Sequence, residues 1–167
     1  MVATLDLQVN APILPNEGLG GLKLRIPVTE IQDRLLAAFI ASLPKNDWHA
    51  LAGLFEARYR LAPVEIAVDV RNGKIFRLSA YEGYRGRLFG KISVGMKVSD
   101  AIALDPRLYY DEAEELLLVR GCVGVSLDVP EVDPDPAAVP AYPIVAISVY
   151  AEEVSLREEG LRGPGMR

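Results

Sequence analysis

The chain is expected to fold as an α+β domain, one antiparallel sheet with helices on one face, built from two similar strand-helix-hairpin halves. Three observations predict it. Gly20-Gly21-Leu22-Lys23-Leu24-Arg25-Ile26-Pro27-Val28-Thr29-Glu30 lines up with Gly90-Lys91-Ile92-Ser93-Val94-Gly95-Met96-Lys97-Val98-Ser99-Asp100, 70 positions later. Each copy runs through a glycine, an alternating apolar strand, a break and a Val-(Thr/Ser)-acidic helix opening, as expected of one supersecondary unit used twice. Residues 64–70 alternate strictly, residues 71–74 turn through Asn72-Gly73, and 75–81 return, a strong hairpin signal. Finally, neighbouring strands are joined by short turns, which makes the sheet antiparallel.

Residues 4–9 alternate with Leu5, Leu7 and Val9 on one side, predicting a half-buried strand. Pro12, Pro15 and Gly18 punctuate a loop over 10–18. Leu22, Leu24 and Ile26 then share a strand face, and from Val28 the period turns helical with Ile31, Leu35, Phe39 and Leu43 in one stripe. Thr29 and Gln32 resemble a capping box, although Pro27 is an alternative helix start, and Pro44 ends the helix. Asn46-Asp47 is predicted to cap a second helix with Leu51, Leu54, Phe55 and Tyr59 on its apolar face. After the hairpin, residues 82–86 connect to the second copy, whose strand ends at Val94. Its shorter helix carries Val98, Ala101, Ile102 and Leu104 and stops at Asp105-Pro106. Residues 115–120 and 123–129 read as a strand pair around Gly121, and 130–140 as a proline-broken loop. The strand over 142–150 is apolar on both faces, which suits a central, doubly covered place. The whole reads as a single domain, 1–167, with halves at 12–82 and 83–152 and a frayed tail over 153–167.

With half of its 167 residues apolar and a quarter charged, the chain has material for a real core. No apolar run approaches the ~20 residues that span a bilayer. Met1-Val2-Ala3-Thr4-Leu5-Asp6 has neither a basic start nor a long apolar stretch, so no secretory signal is expected. The lone Cys122 excludes an internal disulfide and agrees with a reducing, cytoplasmic setting.

The net charge of −5 is unevenly spread. Between residues 100 and 136 the acidic side chains are opposed by Arg107 and Arg120 alone, whereas basic side chains dominate 58–97. The acidic zone repels a phosphate backbone and attracts a basic protein surface; ordinary solvated faces are the plainer reading of both zones.

Few residues offer catalytic chemistry. His49 is the sole histidine, placed beside Trp48 early in the second expected helix, so histidine clusters and relays lack members. Cys122, between Gly121 and Val123 in a strand, reads as a core thiol. Asp111, Glu112, Glu114 and Glu115 leave carboxylate chemistry with a divalent cation open, but consecutive acids on a loop usually diverge into water. Gly18, Gly20 and Gly21 lack the Lys-Ser/Thr of a phosphate loop and suit a turn. Tyr81, Tyr84 and Phe89, interleaved with Arg85 and Arg87, are a pattern able to stack single-stranded bases, against which the net charge argues. No cofactor and no metal site are expected.

Residues 90–102 resemble the strand, Gly-Met and helix opening of BamE-like and beta-lactamase-inhibitor-like units, with Gly95-Met96 at the motif position and Arg25-Ile26 there in the first copy. That resemblance implies a small binding protein made of tandem copies. Leu108-Tyr109-Tyr110-Asp111-Glu112-Ala113-Glu114-Glu115, Gly121-Cys122-Val123-Gly124-Val125 and Asp128-Val129-Pro130 are similar to segments of bacterial immunity proteins, encoded beside polymorphic toxins. It implies a stoichiometric inhibitor of a cognate toxin with a basic cleft. On that reading Asp111, Glu112, Glu114, Glu115, Glu131, Asp133 and Asp135 face the cleft, with Tyr109 and Tyr110 as aromatic anchors. The alternatives are a carboxylate-based, metal-dependent enzyme and a structural or assembly module.

Overall fold

Turn chemistry sets the start of the chain. The computed structural model describes residues 5–42 and 48–153. Gly20 and Gly21, with φ of +65° and +81°, reverse the chain between β1 (Gly18–Leu19) and β2 (Leu22–Lys23), as the glycine pair predicted. The strand of this copy is shorter than expected because Arg25 takes φ +71°, which breaks the extended run after Leu24. Residues 5–9 keep the expected alternation of burial at Leu5, Leu7 and Val9 but join no ladder, so they are an extended arm and not a strand.

A 3-10 turn (Val28–Glu30) leads into α1 (Gln32–Ser42), which buries Ile31, Leu35 and Ala38 at its start and inner face. Pro27, extended at φ −61°, holds the cap position of that turn with no side-chain cap bond, so the Thr29–Gln32 capping box does not open it. Leu43, Asn46, Asp47 and the residues beyond 153 lie outside the described residues.

The second helix is not formed. Its segment is a hairpin of β3 (Trp48–Ala52) and β4 (Glu56–Leu61), and the turn is closed by the Gly53 N–H donating to the Glu56 carbonyl at 2.8 Å. The supposed apolar helix face is on the surface: Leu51, Leu54 and Phe55 are 65, 82 and 63% exposed. Tyr59 and Leu61 pack on the core while Arg58 and Arg60 alternate with them, a period of two that governs this stretch. His49 therefore lies on a strand, opposite Arg60.

β5 (Val64–Asp69) and β6 (Lys74–Ala80) form the expected hairpin, with Gly73 at φ +69° in its turn. The expected strand of the second copy does not form: Ile92 makes only a bridge to Leu88 and Val94 falls in a turn. The chain then enters α2 (Val98–Leu104), which ends at Asp105 as expected and buries Val98 and Ala101. β7 (Leu108–Asp111) has no counterpart in the sequence reading. β8 (Leu116–Val119), β9 (Cys122–Asp128) and β10 (Ala146–Tyr150) follow, with a second 3-10 turn at Val139–Ala141.

The large sheet has eight strands in the order β3-β4-β5-β6-β10-β9-β8-β7, each neighbouring pair antiparallel. β10 is central, and Ala146, Ile147, Ser148 and Val149 are all buried. Ile31, Leu35 and Ala38 share one apolar cluster with Val98 and Ala101 and with Ile66, Leu78, Leu117, Leu127 and Ile147 of the sheet. The Arg25 N–H donates to the Ile75 carbonyl (2.7 Å), Ile75 N–H to Ile26 (3.0 Å) and Val28 N–H to Gly73 (2.8 Å). In the other copy the Gly95 N–H donates to Ile144 (2.8 Å), Ile144 N–H to Met96 (2.8 Å) and Val98 N–H to Tyr142 (3.0 Å). No described helix is long and apolar enough to cross a membrane. Because strand direction alternates, the β7–β8 turn and the β9–β10 connection emerge at one end of the sheet. The β3–β4 and β5–β6 turns emerge at the other.

Candidate protein-binding site

The β7–β8 turn is built by its own acids. The Asp111 carboxylate accepts from the Ala113 and Glu114 N–H groups at 3.0 and 3.1 Å, an Asx turn, and Glu115 at φ +55° completes the reversal. The Glu115 carboxylate then accepts from the Asp133 N–H at 3.1 Å, tying this turn to the β9–β10 connection. Further along that connection the Asp135 carboxylate accepts from the Ala137 N–H at 3.0 Å and closes the turn that precedes the second 3-10 turn. Asp111, Glu115 and Asp135 thus shape the loops as well as charging them.

Two tyrosines register the surrounding acids. The Tyr110 hydroxyl is pushed above the usual phenol range, first by desolvation and then by Glu115, Asp133, Glu112 and Asp111. Tyr142 is raised chiefly by donating its hydroxyl to Glu131, then by its desolvation and by the charges of Glu131 and Asp135. Among the described residues none of Asp111, Glu112, Glu115, Glu131, Asp133 and Asp135 is ion-paired to Lys or Arg. Arg107 is engaged elsewhere, clamping Asp105 at 2.9 and 2.7 Å, and Arg120 lies over the Tyr109 ring, 5.0 Å from its centroid.

The predicted site residues divide accordingly. Tyr110, Asp111, Glu112, Glu115 and Asp133 form one group, and Glu131 and Asp135 a second group about Tyr142, which the sequence reading missed. Glu112 and Glu114 are exposed at the tip of the turn. Tyr109 and Tyr110 do not act side by side: as consecutive strand residues they face opposite ways, Tyr110 against the core and Tyr109 toward Arg120. β7 is an edge strand, so its outer backbone groups have no neighbouring strand within the sheet.

A second polar feature crosses the middle of the sheet. Register places Arg60 opposite Glu65, Glu65 opposite Ser79, and Ser148 between Ser79 and Ser126. Ser79 and Ser148 are buried and share a hydrogen bond of 2.8 Å, one hydroxyl donating and the other accepting. Desolvation pushes the neighbouring Asp128 carboxyl up, opposed by Arg77. Tyr81 is raised by desolvation and by Glu65, while Arg60 sits 4.0 Å from its ring centroid.

Other expectations meet plain outcomes. Tyr84 is buried, and its hydroxyl accepts from the Gly20 N–H and donates to the Ala11 carbonyl, each at 2.7 Å. The Phe89 ring is stacked by Arg107 at 4.7 Å, so these two aromatics are committed internally and do not offer the stacking surface that the Tyr-Arg pattern suggested. Cys122 is half-buried with its thiol pushed up mainly by desolvation, the reverse of an activated nucleophile. Among the described residues no three His, Cys, Asp or Glu side chains come together as a metal site.

Comparison with known proteins returns the fold alone. No family model and no curated protein matches the sequence. The structure is similar to the crystal structure of the uncharacterized protein yfeY from Escherichia coli, with a TM-score of 0.52 and 13% sequence identity over 82% of this chain and 98% of that one.

Proposed function

We propose that this protein is a non-catalytic, cytoplasmic binding module, an immunity protein that neutralises a cognate bacterial toxin domain through the acidic end of its sheet. One observation carries the reading: Asp111, Glu112 and Glu115 of the β7–β8 turn and Asp133 of the β9–β10 connection gather about Tyr110, and none of these four is ion-paired to Lys or Arg among the described residues. An acidic cluster beside an edge strand favours a basic partner, speeds its approach and leaves backbone groups for strand pairing. The toxin as partner class comes from the immunity-protein resemblance.

The scaffold of this module is, in the same proposal, a duplication in which α1 and α2 cover one face of the sheet. Supporting it are the matched hydrogen bonds at Arg25/Gly95, Ile26/Met96 and Val28/Val98, and the positive φ shared by Arg25 (+71°) and Gly95 (+89°). Each copy is followed by one helix and four strands in sequence.

The test is calorimetric titration against the product of the adjacent gene, with the Glu112→Lys/Glu114→Lys variant in parallel. These positions are chosen because Asp111 and Glu115 hold the turn. The double reversal is expected to weaken binding at least about tenfold at low salt, with the effect shrinking as salt rises. An unchanged Kd discards the acidic end as the interface; absence of any complex with that product discards the toxin reading.

A further inference from the structure

Diagonally across the sheet from the acidic end, an open groove of about 460 Å³ lies between the β3–β4 and β5–β6 turns. Register explains its chemistry. Ala67 of β5 stands between Arg58 of β4 and Arg77 of β6, and its methyl group leaves room for the two long side chains to converge over it. They converge on Glu56, which accepts from the Arg58 Nε at 2.6 Å and lies 3.5 Å from an Arg77 terminal nitrogen. A third guanidinium, Arg71, borders the same groove, held by Asp69 through its Nε at 2.9 Å and a terminal nitrogen at 2.8 Å.

The three guanidiniums face Glu56 and Asp69 in the groove, and Arg77 also acts on Asp128. The carboxylates use only part of the donor fork of each arginine, which has five N–H groups. Aromatic and aliphatic walls stand beside the cations. Phe76 lines the groove with the Arg77 guanidinium 5.6 Å from its ring centroid, and the 63%-exposed Phe55 and the 82%-exposed Leu54 form the lip. A bare phosphate needs no such walls, and a neutral apolar molecule gains nothing from the guanidiniums. The volume is in the lower part of the range of small-molecule sites, roughly 300–1,000 Å³.

We infer that this groove binds a small organic anion, an aromatic body carrying a carboxylate or a phosphate monoester. The headgroup takes the donors of Arg58 and Arg77 that Glu56 leaves unused, and the ring packs on Phe55 and Phe76. The site is independent of the proposed partner face.

Titration calorimetry on the intact protein with phenyl phosphate, phenylacetate and inorganic phosphate tests it. Binding of at least one aromatic anion is expected, with Kd below about 1 mM, and inorganic phosphate at least about tenfold weaker. Whichever aromatic anion binds more tightly names the headgroup. Arg58→Gln and Phe55→Ser are each expected to weaken binding about tenfold, the former by removing charge-assisted hydrogen bonds and the latter by removing apolar contact. Both side chains reach solvent, so neither variant is expected to move the urea midpoint, which is measured alongside. Failure of both aromatic anions to bind at about 10 mM, equal affinity for inorganic phosphate, or unchanged affinity in both variants would overturn the inference.

Discussion

Asp105 ends α2 with a buried carboxylate, 4% exposed, that accepts from the Arg107 backbone N–H and from both arms of its guanidinium. These bonds outweigh the cost of desolvation and hold its pKa down to about 2, against an ordinary 3.8. A depressed carboxylate contributes stability above its ordinary pKa and loses it as pH falls through the folded value. Asp105→Asn is therefore expected to lower stability at neutral pH by about 1–3 kcal/mol. The gap to the parent should narrow as pH falls below 3.8 and close only below about 2, where Asp105 is protonated in both folded and unfolded chains. Urea midpoints at neutral pH and near that lower limit check this; a gap of constant size would assign the loss to packing. Asp105 was legible in the sequence only as part of a helix stop, because its clamp needs the main chain of Arg107 to turn back on it. The aromatic pair shows the same limit from the other side. Tyr109 and Tyr110 look like joint anchors until the strand assignment sends them to opposite faces.

At the scale of elements, what could be read was what local chemistry decides. The Asn72-Gly73 hairpin, the Asp105 helix stop, the Gly121 turn and the doubly apolar β10 all depend on residues close in sequence. β3 and β4 were lost because Leu51, Leu54, Phe55 and Tyr59 fall by chance at helical spacing, while the period-two signal of Ala57, Tyr59 and Leu61 begins only after the turn. β7 was lost because it is four residues long and runs straight into acids that read as loop. Residues 5–9 alternate like a strand, but alternation reports burial and not pairing. The hairpin assignment makes a direct prediction. Leu54→Ala, at the tip of the β3–β4 turn, is expected to change stability by less than about 0.5 kcal/mol. Leu117→Ala, at a fully buried place in β8, is expected to cost about 2–5 kcal/mol. Denaturant midpoints separate the two; a comparable loss at Leu54 would restore it to a core-facing helix.

Over the whole molecule, the site and its stability both follow from strand order. Acids of the β7–β8 turn and of the β9–β10 connection meet only because both links emerge at the same end, which no local pattern encodes. The same order makes β6 and β10 the seam between the two four-strand runs, and the apolar cluster continues across it through Leu78, Ile147 and Val149. A core without a boundary at the seam leaves neither run with an apolar face it can bury alone, so the chain should unfold in one step. Val149, fully buried, sits opposite Leu78 of β6 and Val125 of β9. Val149→Ala removes contacts on both sides of the seam and is expected to cost about 1–3 kcal/mol while keeping a single transition. Calorimetry reads the ratio of calorimetric to van't Hoff enthalpy, and hydrogen exchange reads the amides of β5 and β8 separately. The expected ratio is near unity, with both strands losing protection by the same free energy. A biphasic melt, or β5 retaining its protection while β8 loses it, would mean that the halves are autonomous and that the seam is only a contact between them.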